Sequence, residues 1–309
     1  MTGSTRLPVV YLAGSGHTGS TLLALFLDSH PRIVSVGETA FKRKLQRQQR
    51  TNVTCTCGLS YEECPFWQQV FRGVNEAGFD FSPLEWSNDF RYQGRVAHKL
   101  LSRYSAKPAW RLLQKAAIAV LPAHQARLDR VRQVNVEFIR TVLRVAGADV
   151  FFDTSKRGMR LHQLLETPEL DVKVVQLVRD VRGYASSAKK RGEPVAASAL
   201  TWRRQLEAVE HITRELPEDR VMLLRYEDLC RDPRTWLKRA YAFCGAEAID
   251  PPESVISREH HVLGNNMRQN EQIRIRFDES WRKLLTSEEQ AAALAVAGPF
   301  HERFGYAAS

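Results

Sequence analysis

Apolar and polar positions alternate between two registers along this chain. Short apolar, β-branched runs ending in glycine or polar residues give way to segments whose apolar residues recur every three to four positions. The first run, Val9-Val10-Tyr11-Leu12-Ala13, breaks at Gly14-Ser15-Gly16-His17-Thr18-Gly19 and passes at once into an apolar helical run at 22–27. This predicts a strand, a tight loop and a helix over about 19–29. The helix stops at Asp28-Ser29-His30-Pro31, because Pro31 biases His30 away from helical dihedrals. Ile33-Val34-Ser35-Val36 and 149–153 read as further strands. So does 172–178, nearly continuous in apolar residues, as a strand buried on both faces should be. Another strand ends within 220–228, and helices are predicted at about 159–166, 196–216, 235–244 and 287–297. Strands alternating with helices predict an α/β fold with a central, mainly parallel sheet flanked by helices.

Between the second and third strands the pattern at about 84–146 is helical. Val131, Val134, Phe138, Ile139, Val142 and Val145 fall on one stripe; Trp110, Leu112, Leu113, Ala116, Ala117 and Val120 form a second. Both read as core faces. No internal repeat or low-complexity linker divides the chain, so one domain over 1–309 is expected, with a helical insertion at about 70–147 as the place for an acceptor pocket or lid. The basic stretch 41–50 reads as a helix with a solvated face, or as a patch for an acidic substrate. The polar segment His260–Asn270 is either a plain loop or a lid carrying Arg268 onto an anion.

Composition narrows the partners. With 309 residues, 43% hydrophobic and 26% charged, the chain can bury a full core. A formal net charge of +10 suits a polyanion, an anionic membrane or a highly anionic small ligand. Aromatics are not interleaved with the basic residues as they are in single-strand binders, so nucleic acid is not the expected partner. No apolar stretch reaches the length of a membrane span, and positions 1–8 lack a signal core. With five cysteines, an odd number, this points to a reducing, cytoplasmic setting. Cys55, Cys57 and Cys64 do not by themselves complete a four-ligand zinc site. A histidine from elsewhere would be needed, a disulfide and simple buried thiols are the rivals, and no metal is assigned.

Candidate chemistry gathers at the predicted strand ends. Gly14-x4-Gly19-Ser20-Thr21 nearly spells the Walker A loop, but Ser20 stands where the lysine for β- and γ-phosphates belongs. The loop should hold a phosphate without supporting ordinary ATP or GTP hydrolysis. Glu38 and Lys156 follow strand ends, on the edge of a parallel sheet where ligands bind. Arg179, Ser187 and Arg191 are spaced to approach one anion. The plainer readings are a surface or helix-start charge for Glu38, and an ion pair with Asp180 or Glu193 for the arginines.

In this order the segments resemble sulfotransferases that use 3′-phosphoadenosine 5′-phosphosulfate (PAPS). Gly14 to Thr21 with Leu22-Leu23 resembles the loop that grips the 5′-phosphosulfate. Asp28-Ser29-His30-Pro31 and Gly37-Glu38 resemble the tyrosylprotein and carbohydrate branches, and Asp153-Thr154-Ser155-Lys156 a motif of bacterial members. Arg179-Asp180-x-Arg182-Gly183 with Ser187 resembles the 3′-phosphate site. Tyr226-Glu227-Asp228-Leu229, Gly264-Asn265-Asn266-Met267-Arg268 and the Trp281 region complete the set.

The resemblance implies a P-loop-like three-layer fold. It implies in-line, metal-independent sulfuryl transfer from PAPS to a hydroxyl, or less often an amine, of a carbohydrate, lipid or natural product, leaving PAP. Ser15, Gly16, His17, Thr18, Gly19, Ser20 and Thr21 would hold the phosphosulfate. Arg179, Ser187 and Arg268 would hold the 3′-phosphate, with Arg191, Tyr226, Gly264 and Asn265 nearby. Lys156 would neutralise the leaving phosphate, and Glu38 would take the acceptor's proton. Two departures stand out: many members carry Lys or Arg where His17 stands, and the spacing from His30-Pro31 to Gly37-Glu38 is a residue longer than in the tyrosylprotein branch. His17 therefore remains the alternative base. The rival functions are a P-loop small-molecule kinase and a non-catalytic polyanion binder.

Overall fold

The computed structural model describes residues 6–39, 54–81, 88–92, 95–102, 104, 107–120, 122–264 and 266–306. The basic stretch expected to be helical at 41–50, and Asn265, lie outside them. Five strands, β1 (Leu7–Gly14), β2 (Ile33–Gly37), β3 (Val150–Asp153), β4 (Leu170–Val178) and β5 (Val221–Arg225), form a wholly parallel sheet in the order β2-β3-β1-β4-β5. All five carboxyl ends therefore meet on one rim.

Both faces of the sheet are covered except along the edge strand β5, where Leu223 stays exposed, and this cover is why its strands are apolar nearly throughout. From β1, Val10 and Leu12 pack on one side with α1 (Ser20–Asp28). Val9, Tyr11 and Ala13 pack on the other. There the insertion supplies the cover: α2 (Pro65–Glu76), α3 (Arg95–Leu101), α4 (Pro108–Ala119) and α5 (Pro122–Ala146), of which α2 and α5 contribute most of the buried side chains. The crossover from β3 to β4 is α6 (Gly158–Leu165), and α7 (Val181–Lys189) and α8 (Val195–Thr213) lead to β5. The chain continues through α9 (Tyr226–Arg231) and α10 (Pro233–Cys244), which joins α1 on its face. It ends with α11 (Trp281–Leu284), α12 (Ser287–Ala297) and α13 (Pro299–Arg303). No helix among the described residues is long and apolar enough to cross a membrane.

The stripe on α5 is a core face: Val131, Val134, Phe138, Ile139 and Val142 are buried and Val145 is half-buried. The stripe on α4 is not. Leu112, Leu113, Ala116 and Val120 are exposed, Trp110 and Ala117 are half-buried, and only Gln114 is buried, its amide donating to the Leu100 carbonyl at 2.5 Å. This helix packs mainly on α5, touching the body along one edge, so most of its apolar positions stay outside.

A strap closes the β2 end of the rim. Two short antiparallel strands, β6 (Val255–Ile256) and β7 (Gln272–Ile273), bracket a loop in which Leu263 donates its N–H to the Val36 carbonyl at 2.8 Å and accepts from the Glu38 N–H at 3.2 Å. Gly37 makes this approach possible. Its φ is +75°, and a Cβ there would lie 1.8 Å from the Leu263 carbonyl oxygen.

Candidate functional site

The loop after β1 turns tightly into α1. Thr18 Oγ1 donates to the Ser15 carbonyl at 3.0 Å, fixing the turn, while the Ser15 hydroxyl is buried with no partner among the described residues. Gly19, at the N-cap of α1 with φ +86°, has no side chain to cap the helix's first N–H groups. The amides of Ser20, Thr21 and Leu22 therefore lack helical acceptors, and the positive end of the helix faces the cleft these residues line.

Lys156 is the node of the rim. Its Nζ donates to Ser20 Oγ at 2.9 Å, Glu38 Oε1 at 3.0 Å and the Thr154 carbonyl at 2.9 Å. The residue sits in the left-handed region, with φ 56°, and so does His17, with φ 58°. Non-glycine residues held there store strain of roughly 1–3 kcal/mol each, which the surroundings must over-determine. They do so here. Asp153 accepts from the Ser155 N–H at 2.9 Å, Ser155 Oγ accepts from the Thr39 N–H at 3.1 Å, and the Tyr11 hydroxyl accepts from the Arg157 N–H at 2.6 Å. The ends of β1, β2 and β3 are thus tied together around the Lys156–Glu38 pair.

The other end of the rim carries the arginines. Arg179 donates to the His17 carbonyl at 3.1 Å and to the carbonyl and carboxylate of Asp278 at 2.9 and 3.0 Å, and its guanidinium lies 4.4 Å from the centroid of the Tyr226 ring. Burial raises the Asp278 pKa, but Ser280 and Arg179 more than offset it and hold the carboxyl down to about 2. Ser187 donates to the Gly183 carbonyl at 3.0 Å. One continuous cleft of about 610 Å³ joins the two ends, lined by Gly16, His17, Gly19, Ser20 and Thr21 of the loop but not by the buried Ser15 and Thr18, by Glu38 and Lys156, and by Arg179, Ser187, Arg191 and Tyr226. Among the described residues, six cationic side chains line it against two carboxylates, Glu38 and Asp278.

The sequence profile of the Sulfotransferase family matches residues 8–251. The chain belongs to that family. It is 26% identical to mouse carbohydrate sulfotransferase 5 over 175 residues, 47% of this chain and 44% of that protein. With human carbohydrate sulfotransferase 6 the identity is 23% over 318 residues, 92% of this chain and 76% of that one. The alignment covers only 36% of human carbohydrate sulfotransferase 3, so the chain spans less than half the length of several curated relatives it matches. Among solved structures, the sulfotransferase domain of the Synechococcus PCC 7002 olefin synthase superposes with a TM-score of 0.54 at 17% identity, covering 99% of this chain and 98% of that domain. The sulfotransferase domain from the curacin biosynthetic pathway gives 0.51 at 17%, covering 98% and 99%. These two share the fold.

Most of the residues singled out from sequence line the cleft of this sulfotransferase, and the exceptions are instructive. Arg268 is buried with Nη1 donating to the Thr54 carbonyl at 3.0 Å, and it is not part of the cleft lining. Gly264 packs against Thr21, where a Cβ would lie 2.5 Å from Oγ1, and it too is absent from the cleft lining. Lys190, Met267, Arg274, Arg276 and Asp278 also line the cleft, beyond the residues expected from sequence. The alternation of Ile273, Ile275 and Phe277 with Arg274, Arg276 and Asp278 carries the signal: the apolar set packs into the core, and the charged set faces the cleft. Among the described residues the insertion adds nothing to that lining. Instead α4, α5 and α6 enclose a separate pocket of about 270 Å³ around Gln114, Ile118, Leu128 and His162.

His17 is the electrostatic exception of the loop. Burial, and after it the Arg191 guanidinium, push its imidazole down to about 4. Arg191 Nη1 lies 3.1 Å from His17 Nδ1, a hydrogen bond that requires an unprotonated acceptor nitrogen. The ring is therefore neutral at pH 7. A histidine in the unfolded chain titrates near 6.5, so between about 6.5 and about 4 the unfolded state binds the extra proton. His17 accordingly costs stability as pH falls through that window and adds no slope above it. Imidazole NMR titration should place its midpoint near 4, and a midpoint above 6 would contradict the half-buried, arginine-bonded ring.

Proposed function

We propose that this sulfotransferase moves a sulfuryl group from PAPS to a hydroxyl, or less often an amine, of a carbohydrate, lipid or natural product. The supporting observation is the single cleft that joins an uncapped helix start to an arginine-rich end, matching a ligand with two separated anionic groups and no triphosphate tail. The residues present fit such a donor. The unpartnered Ser15 hydroxyl and the N-terminal turn of α1 accommodate the phosphosulfate end. Arg179, with Ser187 and Arg191, suits the 3′-phosphate. Arg274 and Arg276, which form no ion pair among the described residues, take the place that the sequence assigned to Arg268.

When bound, the donor supplies a sulfuryl group attached to a nucleotide phosphate as leaving group. Sulfuryl transfer resembles phosphoryl transfer, in which positioning and charge stabilisation do most of the work. Lys156 stands 2.9 Å from Ser20 Oγ, where an ammonium neutralises charge developing on the leaving phosphate. Glu38, 3.0 Å from the same ammonium, takes the acceptor's proton. A neutral His17 held by Arg191 is left to contact oxygen as a donor through its other ring nitrogen. The acceptor class follows the curated relatives, which are named carbohydrate sulfotransferases.

Thermal-shift titration tests the donor. Adenosine 3′,5′-bisphosphate at 100-fold excess over its Kd should add about 2.7 kcal/mol to the stability of the fold. A shift with ATP and magnesium but none with the bisphosphate would turn the reading toward a kinase.

A further inference from the structure

Outside the cleft, four metal-ligating side chains converge from two distant parts of the chain. The thiols of Cys55, Cys57 and Cys64 meet the ring of His261, and all four ligand atoms lie within 4.8 Å of one another. Cys55 Sγ is 3.3 Å and Cys64 Sγ 3.4 Å from His261 Nδ1, and Cys57 Sγ is 3.6 Å from Cys64 Sγ. A tetrahedral zinc ion with bonds of about 2.3 Å to sulfur and about 2.0–2.1 Å to nitrogen sets ligand atoms about 3.6–3.8 Å apart. The observed spacings fall at that scale. A disulfide needs about 2.0 Å between sulfurs, and bridging any two of these thiols would leave the third and the imidazole without a purpose.

The surroundings hold the four groups in place. Cys55 and Cys64 are buried. The turn between them is built from Gly58 at φ +90°, with the Cys55 N–H donating to the Leu59 carbonyl at 2.7 Å and the Gly58 N–H to the Cys55 carbonyl at 3.0 Å. Phe66 stacks on the His261 ring, with centroids 4.3 Å apart and planes 6° from parallel. On the neighbouring residue, His260 Nδ1 lies 2.5 Å from Asp28 Oδ2, and its carbonyl accepts from Thr56 Oγ1. The imidazole is therefore aimed at the thiols before any ion arrives.

We propose that Cys55, Cys57, Cys64 and His261 bind a structural zinc ion that clamps the strap over β2 to the segment preceding α2. Three sulfurs and one nitrogen form a closed set with no open position, the ligand chemistry of a structural rather than a catalytic zinc. The clamp bears on the cleft because Leu263, two residues beyond His261, is the residue whose backbone pairs with Val36 and Glu38. Arg268 Nη1 on the Thr54 carbonyl adds a second tie between the same two segments. The ion would thus fix the backbone that presents Glu38, without touching the reaction. The site stands whether or not the donor is PAPS.

Elemental analysis of the purified, reduced protein should find about one zinc per chain. Exchange into cobalt(II) should give the intense visible bands of a tetrahedral site together with thiolate charge-transfer absorption. Cys64→Ser and His261→Ala should lose the metal, while Cys230→Ser, at a thiol remote from the cluster, keeps it. Wild-type protein grown with added zinc that carries none and takes up no cobalt(II) would overturn the proposal. So would an intact mass showing Cys57 and Cys64 joined as a disulfide in the isolated protein. Both readouts rest on the wild-type chain, so they hold even where a variant fails to fold.

Discussion

Lys156→Ala is expected to lower kcat about 10²–10³-fold, the loss that follows removal of one pre-organised donor to developing charge, with donor affinity largely kept. The side chain is 11% exposed and its ammonium makes three bonds, to the loop through Ser20, to Glu38 and to its own turn through Thr154. Alanine at 156 keeps the left-handed backbone with a similar penalty, about 1–2 kcal/mol for an L-residue. The variant therefore tests the charge and not the fold. Glu38→Gln should cost about 10²–10⁴-fold if the carboxylate takes the acceptor's proton. The double variant separates two roles for the lysine. If Lys156 only positions Glu38, the double variant matches Glu38→Gln. If it also stabilises the leaving phosphate, the double variant is slower still. Steady-state turnover at saturating donor, paired with calorimetric titration of adenosine 3′,5′-bisphosphate, decides the matter. Full activity in Lys156→Ala removes the lysine from the reaction, and wholesale loss of bisphosphate binding makes it a binding residue.

What the sequence makes legible follows from the range of the forces involved. The parallel sheet could be read because its strands are buried on both faces and advertise themselves as apolar runs, and because glycine turns mark their ends. Glu38 and Lys156 were found as polar residues just past such ends, where a parallel sheet collects its ligand groups. Partners set by tertiary packing were not legible. Arg179 ignores its sequence neighbours and pairs with Asp278, because Asp180 is engaged by Arg182 at 2.8 Å and Glu193 by Arg191 at 3.1 Å. The strap carrying Leu263 and His261 is held by two-residue strands and single bridges, too short to leave a periodic signal. Arg268 was misplaced for that reason. The histidine missing from the cysteine cluster lies 197 positions from Cys64, and nothing local announces it.

Asp153→Ala should cost about 3–5 kcal/mol of folding stability, the usual penalty for breaking a buried ion pair by removing one partner. Asp153 is fully buried and Arg160 is 3% exposed; Arg160 Nε donates to Asp153 Oδ2 at 2.8 Å. Without the carboxylate the guanidinium keeps, among the described residues, only neutral acceptors, Asn135 Oδ1 at 2.7 Å and the Asn88 carbonyl at 3.3 Å. The same carboxylate accepts from the Ser155 N–H at 2.9 Å, and Ser155 in turn holds the Thr39 N–H at 3.1 Å, one residue beyond Glu38. Stability and turnover should therefore respond differently to a second change. Asp153→Ala/Arg160→Met removes the stranded charge and should recover most of the lost stability, since a buried pair replaced by apolar groups is often close to neutral. Turnover should stay low in the double variant, because the turn presenting Lys156 still lacks its anchor. Urea unfolding of the three proteins, with kcat measured where all are folded, checks both halves. A double variant no more stable than the single one would mean that the ion pair is not what Asp153 contributes, and wild-type turnover in Asp153→Ala would mean that the Lys156 turn holds its shape without it.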